Sequence, residues 1–153
     1  MTDFYSAPQH RFPVPSLRVA ASADIDDAQN TIILAYRSES STALLEQAIA
    51  AARRENAAVR VVHFESDTTT APSAGALSQT KELADWLAEA DLEFEIQRAD
   101  SDVASQIIDL AEEWQARLIV IPSKRRSPVV KLLLGSSTQR VILEAECPVL
   151  IVK

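Results

Sequence analysis

The chain has 153 residues, which suits a single domain, and 47% of them are hydrophobic, enough for a substantial core. A formal net charge of -7 argues against general binding to nucleic acid. The single cysteine, Cys147, excludes an internal disulfide. No apolar run reaches the length of a membrane span, and no secretory signal is visible at the N-terminus. These features predict a soluble protein of the cytoplasm that has no contact with a membrane.

Residues 1–30 differ in composition from the rest of the chain, because three prolines and an acidic stretch lie among polar residues. Proline interrupts regular helices and sheets. We therefore expect a tail that is flexible or loosely docked on a domain formed by residues 31–153. The alternative is that Leu17–Ala21 adds a short strand at an edge of the sheet.

From residue 31 onwards, apolar strands alternate with amphipathic helices. Four strands are predicted from predominantly apolar runs: Thr31–Tyr36, Val59–Phe64, Leu118–Ile121 and Val149–Val152. Glu93–Arg98 alternates instead, which predicts an edge strand covered on one face only. The helices are predicted at Ala43–Arg54, at Ala76–Ala90, after Asp102, and after Gly135. This alternation is typical of an α/β protein with one open parallel sheet and helices on both faces.

The last 36 residues carry the most specific pattern, LIVIPSKRRSPVVKLLLGSSTQRVILEAECPVLIVK. An apolar strand is followed by a basic loop, a Gly135-Ser136-Ser137 break, a helix and a final strand. This pattern resembles the C-terminal third of the universal stress protein family. The resemblance implies five strands in the order 3-2-1-4-5, a Rossmann-like fold similar to that of the adenine nucleotide alpha hydrolases. It also implies a binding or regulatory role in the stress response.

The resemblance further implies where a nucleotide would bind. In that family ATP lies between the first and fourth strands, held by an Asp after the first strand, by residues after the second strand and by a glycine loop. Here the corresponding positions are Ala35, Tyr36, Arg37, Phe64, Ser123, Lys124, Arg125, Arg126, Gly135, Ser136 and Ser137.

Three residues that the resembled family uses to bind ATP are replaced in this chain. Arg37 takes the place of the Asp, and Arg37 cannot accept a hydrogen bond from ribose or adenine. Pro122 and Arg125 take the places of two glycines, so one N–H is lost and one side chain is added. We therefore expect ATP or another adenine nucleotide to bind weakly or not at all. Whether the basic loop holds some other anion or is simply solvated stays open.

No catalytic or metal-binding constellation appears in the sequence. The only histidines are His10 and His63, so no serine has an evident base. A slow nucleotide hydrolase is an alternative, but Arg37 removes the obvious metal-binding carboxylate. A dimeric protein-interaction module that has lost nucleotide binding is a second alternative. An electron-transfer flavoprotein-like domain is a third, and the absence of a matching glycine loop weighs against it.

The final strand predicts how the chain assembles. Val149, Leu150, Ile151 and Val152 form an apolar edge strand with no charge or proline inside it. An edge of this kind invites pairing with another chain. Dimers of the resembled family join along this strand, so the resemblance also implies a homodimer. No other protein partner can be named from the sequence.

Overall fold

A computed structural model describes residues 17–37, 40, 42–64, 74–123, 125–126, 132–133 and 135–153. The elements in chain order are β1 (Arg18–Ala21), a 3₁₀ turn (Ile25–Asp27), β2 (Thr31–Arg37), α1 (Thr42–Glu55), β3 (Ala58–Phe64), α2 (Ala74–Glu89), β4 (Phe94–Arg98), α3 (Val103–Trp114), β5 (Leu118–Pro122), β6 (Arg125–Arg126), β7 (Leu132–Leu133), α4 (Ser136–Glu144) and β8 (Val149–Val152).

The main sheet has the strand order β1-β4-β3-β2-β5-β8. From β2 onwards every neighbouring pair is parallel. Counted from the first core strand, this order is 3-2-1-4-5, so the predicted α/β fold is confirmed. The sheet has six strands where five were expected, because β1 pairs antiparallel with β4. Of the predicted tail, residues 1–16 lie outside the described residues.

Two hydrophobic cores lie on opposite faces of the sheet, because β2 and its neighbours point alternate apolar side chains to each side. Ile32 and Leu34 of β2 pack against α1 and α2. Ile33 and Ala35 pack against α3 and α4. All four side chains are fully buried. This explains the continuous apolar runs in the sequence and leaves the carboxyl ends of the strands as the place for a crevice.

The prediction that Glu93–Arg98 forms an edge strand covered on one face is wrong. β4 has β3 on one side and β1 on the other, so it is not at the edge of the sheet. Its polar face is covered as well, and Glu95 is only 4% exposed. The alternating pattern was misleading because a charged residue can be buried where opposite charges meet it.

Glu95 is buried beside two arginines from neighbouring strands. Arg60 of β3 is 0% exposed and donates from Nη1 to Glu95 Oε1 at 2.6 Å. Arg18 of β1 donates from Nε to Glu95 Oε2 at 2.8 Å. The second Nη of Arg60 donates to the carbonyl of Ile25 at 3.1 Å, and the Trp114 ring covers the guanidinium at 3.5 Å. The network joins β1, the 3₁₀ turn, β3, β4 and α3.

The charge state of this network follows from its contacts. Burial alone would raise the pKa of Glu95, but hydrogen bonds from Arg18 and Arg60 outweigh it and lower the pKa below 4.5. The folded pKa is therefore below the unfolded one. The carboxylate contributes stability above about pH 4.5, and that contribution is lost as the pH falls through the lowered folded value.

We expect Glu95→Ala to lower the free energy of unfolding by about 3–5 kcal/mol, since it leaves the guanidinium of Arg60 buried without its carboxylate. Urea denaturation at pH 7 measures the loss. The exposed Glu46→Ala on α1 is the matched control and should change stability by less than about 0.5 kcal/mol. The pair Arg60→Met with Glu95→Met should cost less than Glu95→Ala alone; equal losses in Glu95→Ala and the control would contradict the ion pair.

Candidate functional site

The candidate site lies at the carboxyl ends of β2, β3 and β5. The register places Tyr36 beside His63 and Arg37 beside Phe64 at the ends of β2 and β3. β5 is paired with β2 on the other side. The helices that follow β2 and β5 cover opposite faces of the sheet, so this is the point where open α/β sheets bind ligands.

Two of the predicted site residues belong to the core. Ala35 is fully buried, and Phe64 is nearly so. Both pack in the hydrophobic cluster beneath α3 and α4. The Phe64 ring therefore packs in the core, and the binding role that the family resemblance implies for Phe64 stays a prediction.

Tyr36 and His63 occupy the other face at the same end of the sheet. Tyr36 is half-buried against the α1 and α2 core, and its ring meets the His63 ring edge-on at 5.6 Å. Burial, with a smaller contribution from Glu82, raises the pKa of the Tyr36 phenol. His63 Nδ1 lies 2.9 Å from Thr80 Oγ1, and both residues are buried. The pair fills this end of β2 and β3 with packed rings.

At Arg37 the chain closes into a turn. The Arg37 N–H donates to Ser40 Oγ at 3.0 Å, and the Ser40 N–H donates back to the Arg37 carbonyl at 2.8 Å. The backbone N–H of Arg37 is thus already used within the protein. Its side chain brings a positive charge to the position where the resembled family has a carboxylate.

The loop after β5 begins with two residues that offer no backbone N–H to a ligand. Pro122, the last residue of β5, has none. The N–H of Ser123 donates to the Val152 carbonyl at 3.0 Å. Further on, the backbone of Arg125–Arg126 pairs antiparallel with Leu132–Leu133. Lys124 and the side chains of Arg125 and Arg126 lie outside the described residues, so the predicted basic cluster is not tested.

The predicted residues Gly135, Ser136 and Ser137 lie at the N-terminus of α4. Gly135 is the N-cap residue and is buried, and its φ of -70° is open to any residue. No side chain caps the helix there, and Ser136 and Ser137 form its first turn. The first N–H groups of a helix lack intrahelical acceptors and favour anions. Anion binding at this helix start stays a prediction.

An exposed ion pair connects α3 and α4. Arg140 Nη1 of α4 donates to both carboxylate oxygens of Asp102, the N-cap of α3, at 3.1 and 2.9 Å. The Ser105 N–H donates to Asp102 at 3.1 Å. The Ser105 backbone, Arg140 and the Ser105 hydroxyl together lower the pKa of Asp102 to about 2.

We expect Arg140→Ala to raise the pKa of Asp102 from about 2 towards 3.8 without reaching it, because the Ser105 N–H still stabilises the carboxylate. A carboxyl NMR titration measures this value. Since the folded pKa is the lower one, the stabilising effect is present above about pH 3.8 and lost as the pH falls through about 2. Arg117→Ala, which removes an exposed cation paired with Glu55, is the control. An Asp102 pKa unchanged by Arg140→Ala would refute the ion pair.

Sequence reasoning missed the buried network of Arg18, Arg60 and Glu95. A signal was present, since Arg60 interrupts the apolar run of β3. Among the described residues, no cluster of three or more acidic, histidine or cysteine side chains is arranged to hold a metal ion. None of the described helices combines the length and the apolar character that a membrane crossing requires.

Comparison with known proteins finds one family. Residues 29–153 match the model of the universal stress protein family. A universal stress protein from Mycolicibacterium smegmatis is 32% identical over 113 residues, which cover 72% of this chain and 87% of that protein.

Solved structures agree with this match. A universal stress protein from Archaeoglobus fulgidus superposes with a TM-score of 0.62 at 29% identity, over 81% of this chain and 98% of that one. A universal stress protein structure from the same organism, in complex with dAMP, gives a TM-score of 0.58 at 25% identity, over the same shares of the two chains. The shared region begins close to β2 and leaves β1 outside the family match.

Proposed function

Because the chain belongs to the universal stress protein family, we propose that it acts in the stress response as a homodimeric binding domain without turnover chemistry. Its crevice between β2 and β5 takes adenine nucleotides only weakly. The dAMP complex of the Archaeoglobus fulgidus protein supports the ligand class. The cytoplasmic location expected from the sequence stays a prediction.

The start of the loop after β5 is the observation that carries the weak binding. Pro122 has no N–H, and the Ser123 N–H is already bonded to Val152. A phosphate at this point would therefore find no backbone donor from either residue. Burial of Phe64 and the cationic Arg37 remove two groups that could hold the adenosine. What favours some residual binding is the open N-terminus of α4.

We expect calorimetric titration to give ATP and AMP dissociation constants above the micromolar range. Residual binding should weaken with added salt, because it depends on charge. Lys124→Ala combined with Arg126→Ala should weaken it further if the basic loop contributes. Micromolar ATP affinity in the unmodified protein would contradict the proposal, and an affinity indifferent to salt and to both substitutions would rule out the basic loop as the anchor.

The edge of the sheet at β8 supports the homodimer. β8 is the last strand of the sheet and pairs with β5 on its inner side. All four of its side chains are half-buried, and none is charged. On the neighbouring helix α4, Ile142 is 40% exposed and Leu143 is 83% exposed. Among the residues that the structure describes, no strand pairs with the outer side of β8. An apolar edge of this kind is a template for a second strand, and a two-fold arrangement closes the assembly.

We expect the full chain to be a dimer by light scattering at concentrations well above micromolar, with or without nucleotide. Leu150→Lys puts a charge in the middle of the proposed interface and should shift the chain towards monomer. Lys81→Glu, at an exposed position of α2, is a control that should leave the mass unchanged. A monomeric unmodified chain would end the proposal, while dimers in both variants would move the interface elsewhere.

A further inference from the structure

The strand β1 lies outside the part of the chain that matches the family, yet it closes one edge of the sheet. It runs antiparallel to β4, with Arg18 opposite Gln97 and Ala21 opposite Glu95. Without it, β4 would be the edge strand. An open parallel sheet ends in two edge strands. Here β1 covers the edge of β4, while β8 remains the strand at the opposite end.

Polar contacts fix β1 and the turn after it to the sheet. The Ser22 N–H donates to the Phe94 carbonyl at 2.8 Å, and the Phe94 N–H donates to Ser22 Oγ at 2.8 Å. The Ser22 hydroxyl also donates to Glu93 Oε1 at 2.6 Å. Arg18 adds its ion pair with Glu95. These contacts hold β1 along the backbone of β4 and use donors and acceptors that an incoming strand would need.

The domain itself contains residues whose burial makes sense only with this segment in place. The guanidinium of Arg60 is fully buried, and one of its donors ends on the Ile25 carbonyl. Ile25 is 2% exposed. A buried charge and a buried carboxylate are costly unless their hydrogen bonds are satisfied. The segment is therefore an integral part of the fold.

β1 is also a poor template for a further strand. It carries the charged Arg18, it is largely exposed, and its register with β4 shifts between Arg18 and Ala20. Charge and irregular pairing are usual means of blunting an edge. On the opposite side, β8 is regular in its pairing with β5 and uncharged. The two edges thus differ in how readily they accept a partner.

We propose that residues 18–27 cover the edge of β4 in cis and so confine self-association of this chain to the β8 edge. If both edges were open, β4 of one copy could pair with β8 of the next, and such a head-to-tail contact repeats from copy to copy into rings or open filaments. The cover removes that contact. Only the identity of the remaining interface rests on the homodimer proposed above; the cover itself does not.

The test opens the cover in the full chain. Arg18→Glu places two carboxylates together at Glu95 and should release β1, so amides of residues 19–22 should exchange with deuterium at least about ten-fold faster. Sedimentation velocity should then give an average mass above that of the unmodified protein and rising with concentration. Arg54→Glu makes the same charge change at an exposed position of α1 and should alter neither quantity.

Two further variants test the proposal if Arg18→Glu fails and identify the edge that pairs. If Arg18→Glu unfolds the protein or leaves exchange unchanged, Ser22→Pro replaces it, because it removes the N–H and hydroxyl bonded to β4. Adding Leu150→Lys to the opened variant should abolish the larger assemblies, since it blocks the β8 edge. Larger assemblies that persist with Leu150→Lys would overturn the head-to-tail contact.

The outcomes separate this inference from the proposed function. Fast exchange in β1 with a mass equal to that of the unmodified protein overturns the cover and leaves the homodimer untouched. An unmodified chain that is monomeric, with an opened variant that grows in mass, supports the cover and refutes the homodimer.

Discussion

Every open parallel sheet ends in two strands whose outer backbone groups have no partner within the sheet, and the rest of this structure depends on how those two edges are treated. At one edge, β1 pairs antiparallel with β4, its Arg18 is bound to Glu95 of β4, and the turn after it accepts a hydrogen bond from Arg60 of β3. At the other edge, β8 presents four apolar residues after a proline. The two edges differ from each other, whereas the centre of the sheet is apolar and buried on both faces. The difference between the edges therefore comes from the residues of β1, β4 and β8.

The centre of the fold could be predicted because its signal is local. A strand buried on both faces is apolar at consecutive positions, and β2 shows this pattern over residues 32–35. The strand order came from the resemblance, since no local pattern determines which strands are neighbours. The prediction failed at β4, where alternation indicated solvent on one face. Glu95 is buried because Arg60, 35 residues earlier in the chain, meets it, and single-sequence patterns do not show such a pairing.

The candidate site, too, could be predicted only in part. Spacing located the carboxyl ends of the strands and the residues there, because each lies directly after an apolar run. It could not reveal that the Ser123 N–H is bonded to Val152, since that bond depends on the register of β5 and β8. Nor could it reveal that the Phe64 ring points into the core beneath α3 and α4. Chemistry at a loop depends on which backbone groups the neighbouring strands have already used.

The substitutions in the predicted binding motif and the additional strand β1 lie at different places in the fold. In the crevice, substitutions at the ends of β2 and β5 remove an acceptor and an N–H without disturbing the sheet, whose pairings continue to Arg37 and Pro122. At the β4 edge, Arg60 and Glu95 make the domain depend on a segment that precedes the family match.

A buried ion network is a poor source of stability compared with an apolar replacement of the same volume, but it is specific, because each charge must find its partner. Placed at this edge, it selects one strand in one register. The buried charges of Arg60 and Glu95 therefore lie at the edge of the sheet and bind the segment that covers it.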